Sequence, residues 1–181
     1  MVYVLLAHGF EEAEALVPAD LLRRAGVETA LTAVNDRQVT GGHGIRVECD
    51  CALDRVDLDK AEMLVLPGGG VGVKNLGESE QVRALVCAAA ERGIPLAAIC
   101  AAPSLPGSWG LLDGVRAVCY PGWEDRLGGA RACPEASVVE DGNFITGKAA
   151  GSAFDFGLAL VRRLKGADKA EEVRHGVCYR G

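Results

Sequence analysis

The chain has 181 residues, of which 49% are hydrophobic and 24% charged, the profile of one folded domain with a full core. Its net charge of −6, with no cluster of Lys and Arg to offset it, argues against a nucleic-acid scaffold. No apolar stretch reaches the length of a membrane span, so neither nucleic acid nor membrane is an expected partner.

Residues 2–7 form a continuous apolar run, the pattern of a buried strand, and are too short and too uncharged at the start to be a secretory leader. Residues 11–25 follow with Ala13, Leu16, Val17, Leu21 and Leu22 at helical spacing, closed by Gly26. Residues 27–34 read as a second strand. The pairs Val39-Thr40 and 45–48 flank Gly41-Gly42-His43-Gly44 and suggest a hairpin-like excursion. Residues 63–66 are a strand ending in Pro67-Gly68-Gly69-Gly70, and 81–91 a helix stopped by Gly93. Residues 95–100 are again apolar, and Ala101-Ala102-Pro103 reads as the first turn of a helix. Residues 115–118 suggest a strand, 137–141 and 143–146 a hairpin about Asp141-Gly142, and 152–164 an apolar helix before a polar tail. Strands alternating with helices imply a mostly parallel sheet covered on both faces, in one domain over 1–181.

In such sheets ligands bind beyond the carboxyl ends of the strands. Three strands end in unusual loops: His8-Gly9-Phe10-Glu11-Glu12, Pro67-Gly68-Gly69-Gly70, and Cys100-Ala101. Cys100 stands between a strand end and a helix start, where unpaired N–H groups favour thiolate, the arrangement of a nucleophile elbow. The competing reading is a small buried hydrophobe. Glu14, between two alanines and one turn into the first helix, can face the sheet edge and act as an acid or base beside the thiol. The glycine run lacks the spacing of a phosphate or dinucleotide loop, but with Ala101 it can form an oxyanion hole. His8 or His43 can in principle pair with Cys100. The seven cysteines are odd in number with no C-x-x-C pair, which points to reduced thiols and a cytoplasmic compartment. Cys49 and Cys51 share a face if extended, yet no neighbouring ligand completes a metal set, so no metal is expected.

Together these stretches resemble the ThiJ/PfpI superfamily, most closely the branch of the Parkinson's-disease-associated protein deglycase and its bacterial relatives. The matching segments are 5–14, 17–26, 64–69, 97–103 and 152–156, in family order and spanning nearly the whole chain. The resemblance implies a flavodoxin-like three-layer α/β sandwich forming a homodimer, with the first helix and the 41–44 excursion at the contact. It implies Cys100 as a strained elbow cysteine, Glu14 as its carboxylic-acid partner, and Gly69 and Ala101 as oxyanion-hole donors. Gly68, His43, Lys148 and Tyr120 would line the pocket. Tyr120 stands where eukaryotic members carry a histidine, and His43 and Lys148 where this branch often carries arginines, which weakens anion attraction.

What the resemblance implies for function is a cofactor-independent cysteine enzyme acting on 2-oxoaldehydes, as a glutathione-independent glyoxalase, a deglycase of glycated amines and thiols, or both. The alternatives are an oxidative-stress sensor or chaperone with an oxidisable Cys100, and a cysteine hydrolase or amidotransferase. The missing histidine counts against the last, because leaving-group protonation needs a good acid.

Overall fold

A computed structural model describes residues 1–180. Eleven strands are present among them: β1 (Val2–Leu6), β2 (Thr29–Ala33), β3 (Gln38–Thr40), β4 (Arg46–Glu48), β5 (Cys51–Ala52), β6 (Met63–Leu66), β7 (Leu96–Ile99), β8 (Arg116–Ala117), β9 (Arg131–Ala132), β10 (Val138–Asp141) and β11 (Phe144–Gly147). The helices are α1 (Glu12–Arg24), α2 (Gly70–Glu78), α3 (Glu80–Glu91), α4 (Ser104–Ser108), α5 (Ala153–Lys165) and α6 (Ala167–Gly176). Seven strands make one sheet in the order β10-β11-β7-β6-β1-β2-β5, parallel except for the antiparallel edge pair β10–β11. This is the expected flavodoxin-like sandwich.

The continuous apolar strands bury both faces, and alternation divides them between two cores. Val2, Val4, Leu6, Val65 and Ile99 pack with α1 and α5 on one face; Tyr3, Leu5, Leu64, Leu66 and Ala98 pack with α2 and α3 on the other. Burying each large apolar side chain contributes roughly 1.5–3 kcal/mol, offset by the ordering entropy of the chain. Cys100, at the carboxyl end of β7, touches both cores.

Several expectations are corrected. In α1 the buried face is Ala15, Pro18, Ala19, Leu21 and Leu22, with Ala13, Leu16 and Val17 only partly covered. The strand expected at 115–118 is two residues long and pairs with β9 outside the main sheet. α2 is unexpected from sequence, because Gly70, Gly72 and Gly77 depress its helix propensity. Cys49 lies on the approach to the sheet and Cys51 within β5, each making separate contacts; no metal-ligand group among the described residues contains them. Among the described residues no helix is long and apolar enough to cross a membrane.

Candidate active site

β1, β6 and β7 are parallel neighbours, so their three following loops meet at one edge. Cys100 comes straight after β7 with φ +66°, left-handed backbone that a non-glycine residue adopts only under constraint. Both sides of the residue are held. Its N–H donates to the Gly147 carbonyl at 2.9 Å, and its own carbonyl accepts from the Tyr120 N–H at 2.8 Å. The helix after it is shorter than expected: residues 101–103 are turns, and α4 has five residues. A long helix dipole is therefore not the source of thiolate stabilisation. Individual N–H groups of Ala101 and Gly69 are directed at the sulfur instead.

Glu14 is only 1% exposed. α1 delivers it to the sheet edge, and Pro18, four residues on, lacks the N–H that would otherwise bond the Glu14 carbonyl. Oε2 accepts the Gly68 N–H at 2.9 Å, whereas Oε1 is fully enclosed with no hydrogen-bond partner. Gly68 is what lets the groups converge: a Cβ there would collide with Glu14 Oε2 and lie 2.7 Å from Cys100 Cβ. Gly69 follows at φ +88°, turning its N–H toward the sulfur as it caps α2.

Burial pushes the Glu14 carboxyl up to about 7; bonds with the Cys100 side chain and the Gly68 N–H pull the other way, and the Glu11 charge adds a little. Burial also raises the Cys100 thiol, and the ionised Glu14 beside it carries the rise to about 12, against the Ala101 and Gly69 N–H groups. Burial dominates both shifts, and the two groups also act on each other. Cys49 and Cys119 are pushed to about 11, by burial first, with nothing comparable aimed at them.

The histidines do not join this pair. His43 Nδ1 lies 2.8 Å from Glu12 Oε2 and 3.6 Å from Glu11 Oε2. Its N–H donates to Glu12 Oε1 at 2.8 Å, with the Ile45 N–H at 3.4 Å. His8 Nδ1 accepts the Thr40 N–H, and its Nε2 is 3.6 Å from Asp36. A Cys–His dyad is thus absent among the described residues. Glu12, a first-turn acid of α1, is 6% exposed and templates the 41–45 loop. Only the neighbouring Gly-Gly-His-Gly run hints at this in sequence. Ligand atoms of Glu11, Glu12 and His43 fall within 4.8 Å of one another, yet those of Glu12 are already engaged.

Tyr120 is 47% exposed, with its peptide rather than its hydroxyl bonded to Cys100. Lys148 directly follows Gly147; its N–H donates to Ser137, and its ammonium forms no ion pair among the described residues. A cavity of about 480 Å³, lined by Gly9, Glu11, Gly42, His43, Gly69 and Val71 among others, opens beside Gly69. Another cavity, about 870 Å³, lies at the amino ends of the strands near Met1, Asp57 and Arg92, and Cys100 does not line it.

A family model described as the DJ-1/PfpI family matches residues 1–163. The chain belongs to this family. It is 35% identical to protein dj-1beta of Drosophila melanogaster over 176 residues, covering 96% of this chain and 94% of that protein. It is 36% identical to protein DJ-1 homolog B of Arabidopsis thaliana over 95% of its length, but spans only 40% of that longer protein. A relative from Pyrococcus abyssi (strain GE5 / Orsay), 32% identical over 91% of this chain and 99% of its own, is named a deglycase. Among solved structures, a cysteine-to-alanine mutant of a DJ-1 superfamily protein from Salmonella typhimurium superposes with TM-score 0.93 at 37% identity, covering 99% of this chain and 98% of that one. An oxidized Toxoplasma gondii DJ-1 gives 0.94 at 30% identity, with the same coverage.

Proposed function

We propose that this family member is a cofactor-independent cysteine enzyme acting on 2-oxoaldehydes and the glycation adducts they form. The observation that carries the reading is the enclosed, unpartnered Glu14 Oε1 beside a thiol held at φ +66°. An ionised carboxylate would leave that oxygen bare in an apolar setting, at a cost of roughly 1–3 kcal/mol or more. A neutral carboxyl removes that charge from the enclosure and leaves Oε2 on the Gly68 N–H, next to the Cys100 side chain. With the proton on Glu14, the charge that opposes thiolate is gone and the Ala101 and Gly69 N–H groups remain.

The Cys100 thiolate then adds to the aldehyde carbon of methylglyoxal. A C–S bond forms, and the carbonyl electron pair moves to an oxygen that the same N–H groups can receive. The oxyanion takes the Glu14 proton, which leaves Glu14 a carboxylate. That carboxylate removes the proton from the hemithioacetal carbon and, through an enediol, returns a proton to the adjacent carbon, giving a lactoyl thioester that water hydrolyses to lactate and the free thiol. The deglycase naming of the archaeal relative supports the extension to glycated amines and thiols. A homodimer belongs to the same reading: Ile45, 53% exposed, and Val71, 61% exposed, present apolar surface around the 41–44 loop.

Glutathione-free conversion of methylglyoxal to lactate tests this reading. Wild type should turn over and Cys100→Ser should not; equal rates would end it. A second reading, peroxide sensing at Cys100, is favoured by the neutral donor at Glu14, which can hold a sulfinate oxygen, and by a relative solved in an oxidized form. Oxidation of Cys100 at low peroxide without aldehyde consumption would select it.

A further inference from the structure

The strained peptide at Cys100 is held from β11 by two consecutive residues. Gly147 accepts the Cys100 N–H through its carbonyl at 2.9 Å. Thr146, 2% exposed, accepts the Val118 N–H on its hydroxyl oxygen at 2.9 Å. Val118 is itself 1% exposed, so that N–H has no access to water. Two residues further along the same segment, the Tyr120 N–H donates to the Cys100 carbonyl at 2.8 Å. Beyond the short β8–β9 pairing, this segment lies outside the seven-stranded sheet and has no ladder of that sheet to fix it. The Thr146 hydroxyl is its anchor at this point. We infer that Thr146 is a positioning residue for Cys100, acting through the 118–120 segment to hold the left-handed peptide that points the sulfur at the Gly69 and Ala101 N–H groups.

The physical chain is short. A valine at 146 keeps the shape but removes the acceptor, leaving a buried N–H unpaired. The 118–120 segment then shifts to recover a partner, and the Tyr120 N–H leaves the Cys100 carbonyl. A left-handed non-glycine residue persists only while its surroundings over-determine it, so Cys100 relaxes and its sulfur loses the two N–H groups. Thiolate becomes harder to form. The Gly68 N–H still holds Glu14 Oε2 in this sequence of events, so Thr146 acts through the Cys100 backbone and not through the placement of the acid.

The inference rests on Cys100 being the reactive thiol, and the experiment keeps the two apart. Cys100 alkylation by iodoacetamide is followed by peptide mapping across pH in wild type, Thr146→Val, Thr146→Ser and Thr146→Ala, with thermal unfolding alongside. Thr146→Val should move the inflection up by about one pH unit, making labelling below it about tenfold slower. Thr146→Ser, which keeps the hydroxyl, should restore the wild-type profile; should the valine variant fail to fold, Thr146→Ala carries the comparison. A lowered melting temperature with an unchanged profile would reduce Thr146 to a structural residue and overturn the inference. Serine and valine variants equally displaced would do the same, because the retained hydroxyl would then make no difference. If wild-type Cys100 lags the other thiols, the proposed function itself falls.

Discussion

Glu14 combines a stability cost with a chemical use. Its carboxyl is raised by burial from 4.5 to about 7, so the folded chain holds this proton more tightly than the unfolded chain. Its contribution to stability is therefore fully present below pH 4.5 and is lost as pH rises through about 7. Glu14→Gln should abolish that loss: melting temperatures of variant and wild type should converge in acid and diverge above neutrality, with the variant the more stable. The same substitution cannot cycle a proton, so aldehyde turnover should fall about 10²-fold or more while the fold persists. Tyr120→Phe should cost little, because the bond to Cys100 comes from the Tyr120 peptide and not its hydroxyl; steady-state rates of the two variants make the comparison. At this scale Cys100 and Glu14 are legible in sequence, since a thiol at a strand end and an acid between alanines carry local signals. Thr146 and Glu12 are not, because each acts on backbone far away in the chain.

At the level of elements, the 41–45 loop owes its shape to one side chain. Burial alone would raise the Glu12 carboxyl, but bonds from the His43 ring and from the Glu12, His43 and Ile45 N–H groups outweigh it and bring it below the ordinary value of 4.5. The Glu12 bond, with the charges of Glu11 and Glu12, holds the His43 imidazolium above its ordinary 6.5. The Glu12 contribution is present above 4.5 and lost as pH falls through its lowered value; that of His43 is present below 6.5 and lost as pH rises through its raised value. Proteolysis within 41–45 should accordingly be slowest between pH 4.5 and 6.5. Glu12→Ala should raise cleavage there about tenfold or more, as expected for charge-assisted bonds lost from a loop. The hairpin around this loop is legible from its glycines and flanking β-branched residues. α2 is hidden by its three glycines and held by tertiary packing of Val73 and Leu76, which no local propensity reveals.

Across the whole molecule, apolar runs alternating with amphipathic helices are enough to imply the parallel sheet, because strands buried on both faces leave no other covering. The convergence of three loops follows from that topology. The acid–thiol geometry depends on Gly68 lacking a side chain, a feature that residue spacing alone does not disclose. In sedimentation at micromolar concentration the protein should behave as a dimer of its 18.9 kDa chain; a single monomeric boundary would remove the 41–44 loop from any interface role. Everything proposed for the site depends on where its shared proton resides. The direct test is the pH dependence of thiol alkylation, with each cysteine resolved by peptide mapping. If the proton rests on Glu14, Cys100 should label first and its rate should rise through an inflection well below the ordinary thiol value of 9.0. Cys100 silent at neutrality, with labelling climbing only toward its value of about 12 beside an ionised Glu14, would contradict the account.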